Sequence, residues 1–274
     1  MYKDILALVD SSRAEVATLA AATEIARRFD AHLSALHVEP LPFVPVDAMT
    51  GYYPRALIEY QEKVSEERSA AVGKAIAEAE QKTGVQIERR MVTGDVESVA
   101  TLHARHADLV VVGLDRTQAQ PNQTESFWEA VAIDGGRPVL AIPADWRGVA
   151  GQRVLIAWRP TAESARAVND ALPILRTAKS VRLLTLNPTW AIEPRDPGAD
   201  IARHLARHDI GVDVVSREVE DSAVGATILQ EARAFGADLI VAGAYGHARV
   251  REYVLGGTTL HLVRNSSVPL LMTH

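Results

Sequence analysis

After an apolar run at residues 239–242, the chain reads Gly243-Ala244-Tyr245-Gly246, then nine residues, then Gly256-Gly257-Thr258. A loop rich in glycine lets backbone approach a ligand closely and turn sharply, because no Cβ stands in the way. Free amides at the start of a following helix (259–264), reinforced by the helix dipole, form an anion site. Thr258 is placed to cap that helix and to give its hydroxyl to a phosphate oxygen. Open α/β sheets hold ligands at the carboxyl end of a middle strand, and this loop occupies such a position. Glycines that merely make tight turns fit the same pattern, so the surrounding elements must choose between the readings. Arg249 and Arg251 inside the nine-residue stretch could add positive charge, or be ordinary surface arginines. Tyr245 and His247, flanking Gly246, serve loop packing at least as well.

Those elements alternate strand and helix. Short apolar runs at 5–9, 33–38, 85–91, 109–113 and 139–142 fit strands buried on both faces. Between them, 12–29 is Ala-rich and ends in Arg27-Arg28, cations suited to a helix C-terminus. Residues 56–83 form a long charged amphipathic helix and 96–106 a shorter one. Such alternation implies a parallel sheet with right-handed crossovers. The order then repeats, with runs at 154–157, 181–186, 212–215, 239–242 and 268–272. Asp108-Leu109-Val110-Val111-Val112-Gly113 matches Asp238-Leu239-Ile240-Val241-Ala242-Gly243 at an offset of 130, whereas Ile5-Leu6 matches Val154-Leu155 at 149. The difference falls between the second and third strands, where the first half carries a Pro-rich loop (40–54) and the long helix. The expected division is a first domain at 1–143, a linker at 144–151 and a second domain at 152–274. Each domain is expected to be Rossmann-like, a five-stranded parallel sheet flanked by helices.

The spacing of the glycine loop resembles the G-x2-G-x9-G-[S/T] loop of ATP-binding universal stress proteins. The duplicated layout and the last strand, Val-Pro-Leu-Leu-Met, resemble that family too, so the resemblance covers the whole chain. It implies that Gly243, Gly246, Gly256 and Thr258 hold a triphosphate and ribose. Gly257, directly after Gly256, departs from the pattern by pushing the hydroxyl one place later; the amide nest stays intact. In the family an aspartate at the first strand tip reads adenine within Val-Asp-x-Ser. The first half retains it as Val9-Asp10-Ser11-Ser12, while the second reads Trp158-Arg159-Pro160-Thr161. Arg159 thus replaces an acceptor with a donor-only cation, able to stack on a base, bind phosphate or face solvent. Thr161 and Leu186, the latter at the second strand tip, complete the cofactor-binding set that the resemblance implies. The implied cofactor is ATP, bound in the second half only, with magnesium arriving alongside it.

The first half lacks the cradle. Gly113 is followed by Leu114-Asp115-Arg116, and Ser126 stands in the third glycine slot, so side chains replace open backbone. Asp115 and Glu125 would set carboxylates near a phosphate, a repulsion on the order of 1 kcal/mol per close pair at surface dielectric.

Composition sets outer bounds. The chain has 274 residues, a formal charge of −6 and no cysteine. That charge argues against general nucleic-acid affinity. Without cysteine there is no disulfide framework and no thiolate catalysis. Met1–Asp10 does not read as a signal peptide, and no run reaches the roughly 20 apolar residues of a membrane span, so a cytoplasmic setting is expected. P-loop, G-x-G-x-x-G and G-x-S-x-G motifs are missing. His204 and His208, four apart, lack an obvious third ligand and read as a solvated face, as do His103 and His106. No catalytic set stands out, and the most that chemistry allows is slow ATP hydrolysis. Three functions remain. One is a nucleotide-binding stress-response protein whose bound state alters contacts with regulatory partners, its domains packed through their last strands as an internal pseudo-dimer that could dimerise further. Another is a scaffold for a different small molecule or for proteins, using the 40–54 loop and the long helix. The third is adenylyl or phosphoryl transfer, by analogy of fold alone.

Overall fold

The computed structural model describes residues 1–41, 55–115, 125–186, 197–244 and 257–274. Tyr245, Gly246, His247, Arg249, Arg251 and Gly256 lie outside the described residues, as do Arg116 and the loops 42–54 and 187–196.

The first half runs β1 (Asp4–Leu8), α1 (Glu15–Phe29), β2 (His32–Pro40), α2 (Arg55–Thr83), β3 (Ile87–Gly94), α3 (Val96–Ala104), β4 (Leu109–Leu114), α4 (Glu125–Asp134) and β5 (Val139–Pro143). The second half repeats it as β6 (Arg153–Trp158), α5 (Ala162–Leu175), β7 (Ser180–Leu186), α6 (Pro197–Ala206), β8 (Val212–Arg217), α7 (Val224–Phe235), β9 (Leu239–Gly243), α8 (Gly257–Asn265) and β10 (Leu270–Thr273). Helix α2 has 29 residues and α6 has ten, which takes up most of the drift between the two halves. Local chemistry sets several boundaries. The Asp95 carboxylate caps α3 by accepting from the Ser98 amide, and Gly236 ends α7 in the left-handed conformation. None of the described helices is long and apolar enough to cross a membrane.

All ten strands join one sheet in the order β3-β2-β1-β4-β5-β10-β9-β6-β7-β8. Every pairing is parallel except β5 with β10, where Ala141, Leu140 and Val139 face Leu270, Leu271 and Met272. The six residues of this seam are almost wholly buried. The halves therefore meet through their last strands, and the antiparallel seam turns their carboxyl edges to opposite edges of the sheet. Period-two alternation feeds two cores: α1, α2, α5 and α6 cover one face across both halves, and α3, α4, α7 and α8 cover the other.

The duplicated aspartates have a common structural task. Asp238 accepts from the amides of Gly151, Gln152 and Arg153 at 2.8–3.1 Å, pinning the start of β6 to the start of β9. Asp108 does the same for Lys3 and Asp4 at β1, at 2.7 and 3.1 Å. Arg28 of α1 reaches across the halves to the carbonyls of Ala150 and Gly151 and to the Thr177 hydroxyl. Bonds to an ionised acceptor are the stronger kind, and losing one partner leaves amides unpaired. Asp238→Ala is expected to lower unfolding free energy by about 2 kcal/mol and Asp108→Ala by about 1 kcal/mol, read by denaturant titration. Equal or negligible losses would contradict this assignment.

Candidate functional site

Within each half the strand order is 3-2-1-4-5, and it reverses direction between the first and fourth strands. Those switch points lie at β1/β4 and β6/β9, where crossovers leave in opposite directions and open a crevice at the carboxyl edge.

In the second half, β9 brings Gly243 to this edge and β6 brings Trp158 and Arg159. Arg159 is half-buried there. Thr161 follows as the N-cap of α5, its hydroxyl oxygen accepting from the Ser164 amide at 3.3 Å. Leu186 ends β7 half-buried against the core on the α7–α8 face. Helix α8 starts at Gly257, an exposed residue where an added Cβ would meet nothing within 4 Å. Thr258 lies inside the first turn. The sequence reading set Thr258 at the cap; the helix begins two residues sooner, because Gly257 already takes helical backbone, and this moves the capping position upstream of it.

Gly243 has a structural explanation of its own. A Cβ there would stand 2.6 Å from the Ser164 amide nitrogen and 2.8 Å from the Glu163 carbonyl carbon, inside the first turn of α5. Gly113, its counterpart, would strike Ala14 Cβ at 2.5 Å and Thr18 Oγ1 at 2.7 Å. This glycine thus stands in both halves, including the one whose sequence departs from the glycine spacing, because the first helix presses onto the tip of the fourth strand. The next amide is also committed: Ala244 donates to the Thr273 carbonyl at 2.9 Å. The chain end closes over the same tip, with His274 Nδ1 3.3 Å from the Ala244 carbonyl and Arg166 donating to the His274 carbonyl at 2.6 Å. Glu163, at the start of α5, is held below the usual carboxylate range, first by its own backbone amide.

The first half differs in charge. At the tip of β1, Asp10 accepts from the Ser12 amide at 3.0 Å. His37 of β2 is 4% exposed, its Nδ1 2.9 Å from the Val9 carbonyl and its Nε2 3.2 Å from the Glu39 carboxylate. Glu15, in the first turn of α1, is 7% exposed, and its Oε1 has no hydrogen-bond partner. Burial pushes its pKa up to about 7; Asp10 raises it further and His37 opposes. Sequence reasoning identified Asp10 and missed the other three. A usable signal was present: His37 and Glu39 continue the odd-numbered, inward-facing positions Leu33 and Ala35 of β2.

His204 and His208 pack edge to face, ring centroids 4.8 Å apart, and Arg176 lies 3.2 Å from His208 Nδ1. Among the described residues no group of three His, Asp or Glu side chains is arranged to hold a metal ion.

Strand order, seam and paired crevices define a tandem doubly wound α/β protein. The sequence profile of the Universal stress protein family matches residues 1–120 and 151–274, and the chain belongs to that family. Solved structures agree in fold over nearly the whole length. A universal stress protein from Archaeoglobus fulgidus DSM 4304 is 16% identical, with a TM-score of 0.72, covering 98% of this chain and 96% of its own. A putative universal stress protein from Pseudomonas aeruginosa UCBPP-PA14 is 17% identical, with a TM-score of 0.63 and coverage of 99% and 93%. A protein described as functionally unknown, from Pseudomonas aeruginosa PAO1, is 16% identical with a TM-score of 0.63, covering 99% and 92%. At these identities the likeness establishes fold alone. Comparison with curated proteins returned no match.

Proposed function

We propose that the second-half crevice binds an adenine nucleotide, ATP first among them, and that occupancy changes how the protein meets regulatory partners. The observation carrying this reading is the uncrowded start of α8 at Gly257, in the strand–loop–helix unit that follows β9, with Arg159 following β6, the strand beside β9. Helix-start amides beside an uncrowded glycine suit a phosphate, and Arg159 at the β6 tip adds positive charge at the same edge. The residues that would hold the nucleotide are Gly246, Gly256, Gly257 and Thr258 around the phosphates, with Arg159 and the Leu186 backbone toward the base. Thr161 supports this set by capping α5, and Gly243 by admitting that helix. ATP supplies the charge that the helix start attracts, and magnesium would arrive on its phosphates. The first half is not expected to share this ligand.

A second reading has specific support: the packing at Gly243 and the internal bond of Ala244 are what a purely structural turn would need. Calorimetric titration of the full chain with MgATP separates the two. One nucleotide per chain, weakened at least about tenfold by Gly246→Asp, is expected from a backbone nest facing phosphate. Absence of binding, or binding indifferent to that substitution, would leave the turn structural.

A further inference from the structure

The two crevices are built from equivalent positions with opposite chemistry. By strand register and helix position, Asp10, Glu15 and His37 of the first half stand where the second half has Arg159, Ser164 and Thr185. Two of the second-half residues are spent internally: Thr185 Oγ1 bonds Ser216 Oγ at 2.7 Å, and Ser164 lies within the capping network of Thr161. Within the first-half set of Asp10, Glu15 and His37, one acceptor is left over. His37 Nδ1 and Nε2 lie within hydrogen-bond distance of the Val9 carbonyl and the Glu39 carboxylate, and one Asp10 oxygen takes the Ser12 amide, but Glu15 Oε1 is buried without a partner.

A buried carboxyl oxygen without a donor is costly, and natural structures seldom keep one without a use. The charged groups facing Glu15 are Asp10 from the end of β1 and His37 from β2, with Glu39 behind His37. His37 and Glu39 project from the face of β2 that α1 covers, so Glu15 looks onto them from the start of that helix. Asp10 and an ionised Glu15, beside the His37–Glu39 pair, disfavour a phosphate and favour a hydrogen-bond-donating cation. A bare divalent ion would need a fuller ligand set than the described residues bring together.

We propose that the carboxyl edge of β1 and β2, beneath the start of α1, binds a small organic cation, an alkylammonium or guanidinium group whose N–H donors engage Glu15 and Asp10. The tandem chain then carries two sites of opposite preference on opposite edges of one sheet. Planar N–H donors suit carboxylate oxygens, which only accept. Glu15 must be ionised to make the full interaction, so occupancy releases a proton and affinity rises with pH.

The test uses the full chain and agmatine, which carries both an ammonium and a guanidinium group. Calorimetric titration at about pH 8 is expected to give one site per chain, with affinity about tenfold lower at about pH 6. Glu15→Gln is expected to weaken binding about tenfold or more at the higher pH and to remove the pH dependence; Asp10→Asn should weaken it severalfold. Glu67→Gln on the exposed face of α2 controls for general attraction to an acidic chain and should change nothing. Gln replaces the protonated carboxyl almost atom for atom, so Glu15→Gln is expected to fold, and its unfolding midpoint is measured alongside. No binding, binding equally reduced by Glu67→Gln, or binding untouched by Glu15→Gln each overturns the proposal. ATP titration of Glu15→Gln, expected to match the unaltered chain, keeps this outcome separate from that of the second-half site.

Discussion

Replacing Gly243 with alanine is expected to lower unfolding free energy by about 3 kcal/mol, at the upper end of the cost of overpacking a tight site. The obstacle is backbone: the new methyl would sit 2.6 Å from the Ser164 nitrogen and 2.8 Å from the Glu163 carbonyl carbon. Backbone cannot rotate aside as a long side chain does, so α5 must lift from the tip of β9 or the strand must bend. Both movements disturb a helix whose inner face is buried against the core. For a chain of this size the loss corresponds to a fall of roughly 6–12 °C in Tm. Gly113→Ala should behave similarly in the first half, where its obstacles are Ala14 Cβ and the Thr18 hydroxyl. Gly257→Ala is the informative contrast. An added Cβ there meets nothing, and alanine favours a helix relative to glycine, so stability should be unchanged or slightly raised. If MgATP binding weakens in Gly257→Ala while its Tm holds, that glycine serves the ligand; if Gly243→Ala keeps its Tm, the packing argument fails.

A second large effect concerns pH. Glu15 is expected to titrate near 4.5 in the unfolded chain and near 7 in the folded one. Between those values the folded protein holds a proton that the unfolded chain has released. Stability therefore declines as pH rises from about 4.5 through about 7, and the contribution of the neutral carboxyl is fully lost above that window. The difference corresponds to on the order of 3 kcal/mol. Glu15→Gln carries no titrating group at this position. It should match the unaltered chain at about pH 4.5 and exceed it by most of that amount at about pH 8. Denaturant titrations of both proteins across this range check the point, and parallel pH curves would refute it. The same carboxyl that destabilises the empty fold when ionised is the one assigned to hold a cation, so a bound cation should recover part of the lost stability at higher pH.

What could be read from the residues and what could not divide along physical lines. Short apolar runs separated by helical segments, written twice with Asp-Leu-[Val/Ile]-Val-[Val/Ala]-Gly at the fourth strand, determined the tandem α/β architecture. That pattern is local, and burial on both faces of a parallel strand leaves a continuous apolar signature. The pairing of last strands was expected from resemblance and is borne out by the β5–β10 register. Thr258 falls inside the first turn of α8 instead of at its cap, because helix ends depend on backbone geometry that residue type only biases. The glycines were legible as residues and ambiguous in purpose. Only tertiary contact separates Gly243, crowded by α5, from Gly257, which stands in open space. Glu15, His37 and Glu39 are scattered across a helix start and a strand tip, ordinary polar residues when met in order. Folding buries them together and leaves one oxygen unpaired, and that charge environment exists only once α1 closes over β2. Sequence decides what each half is built from; proximity between distant segments decides which charged groups each edge brings together.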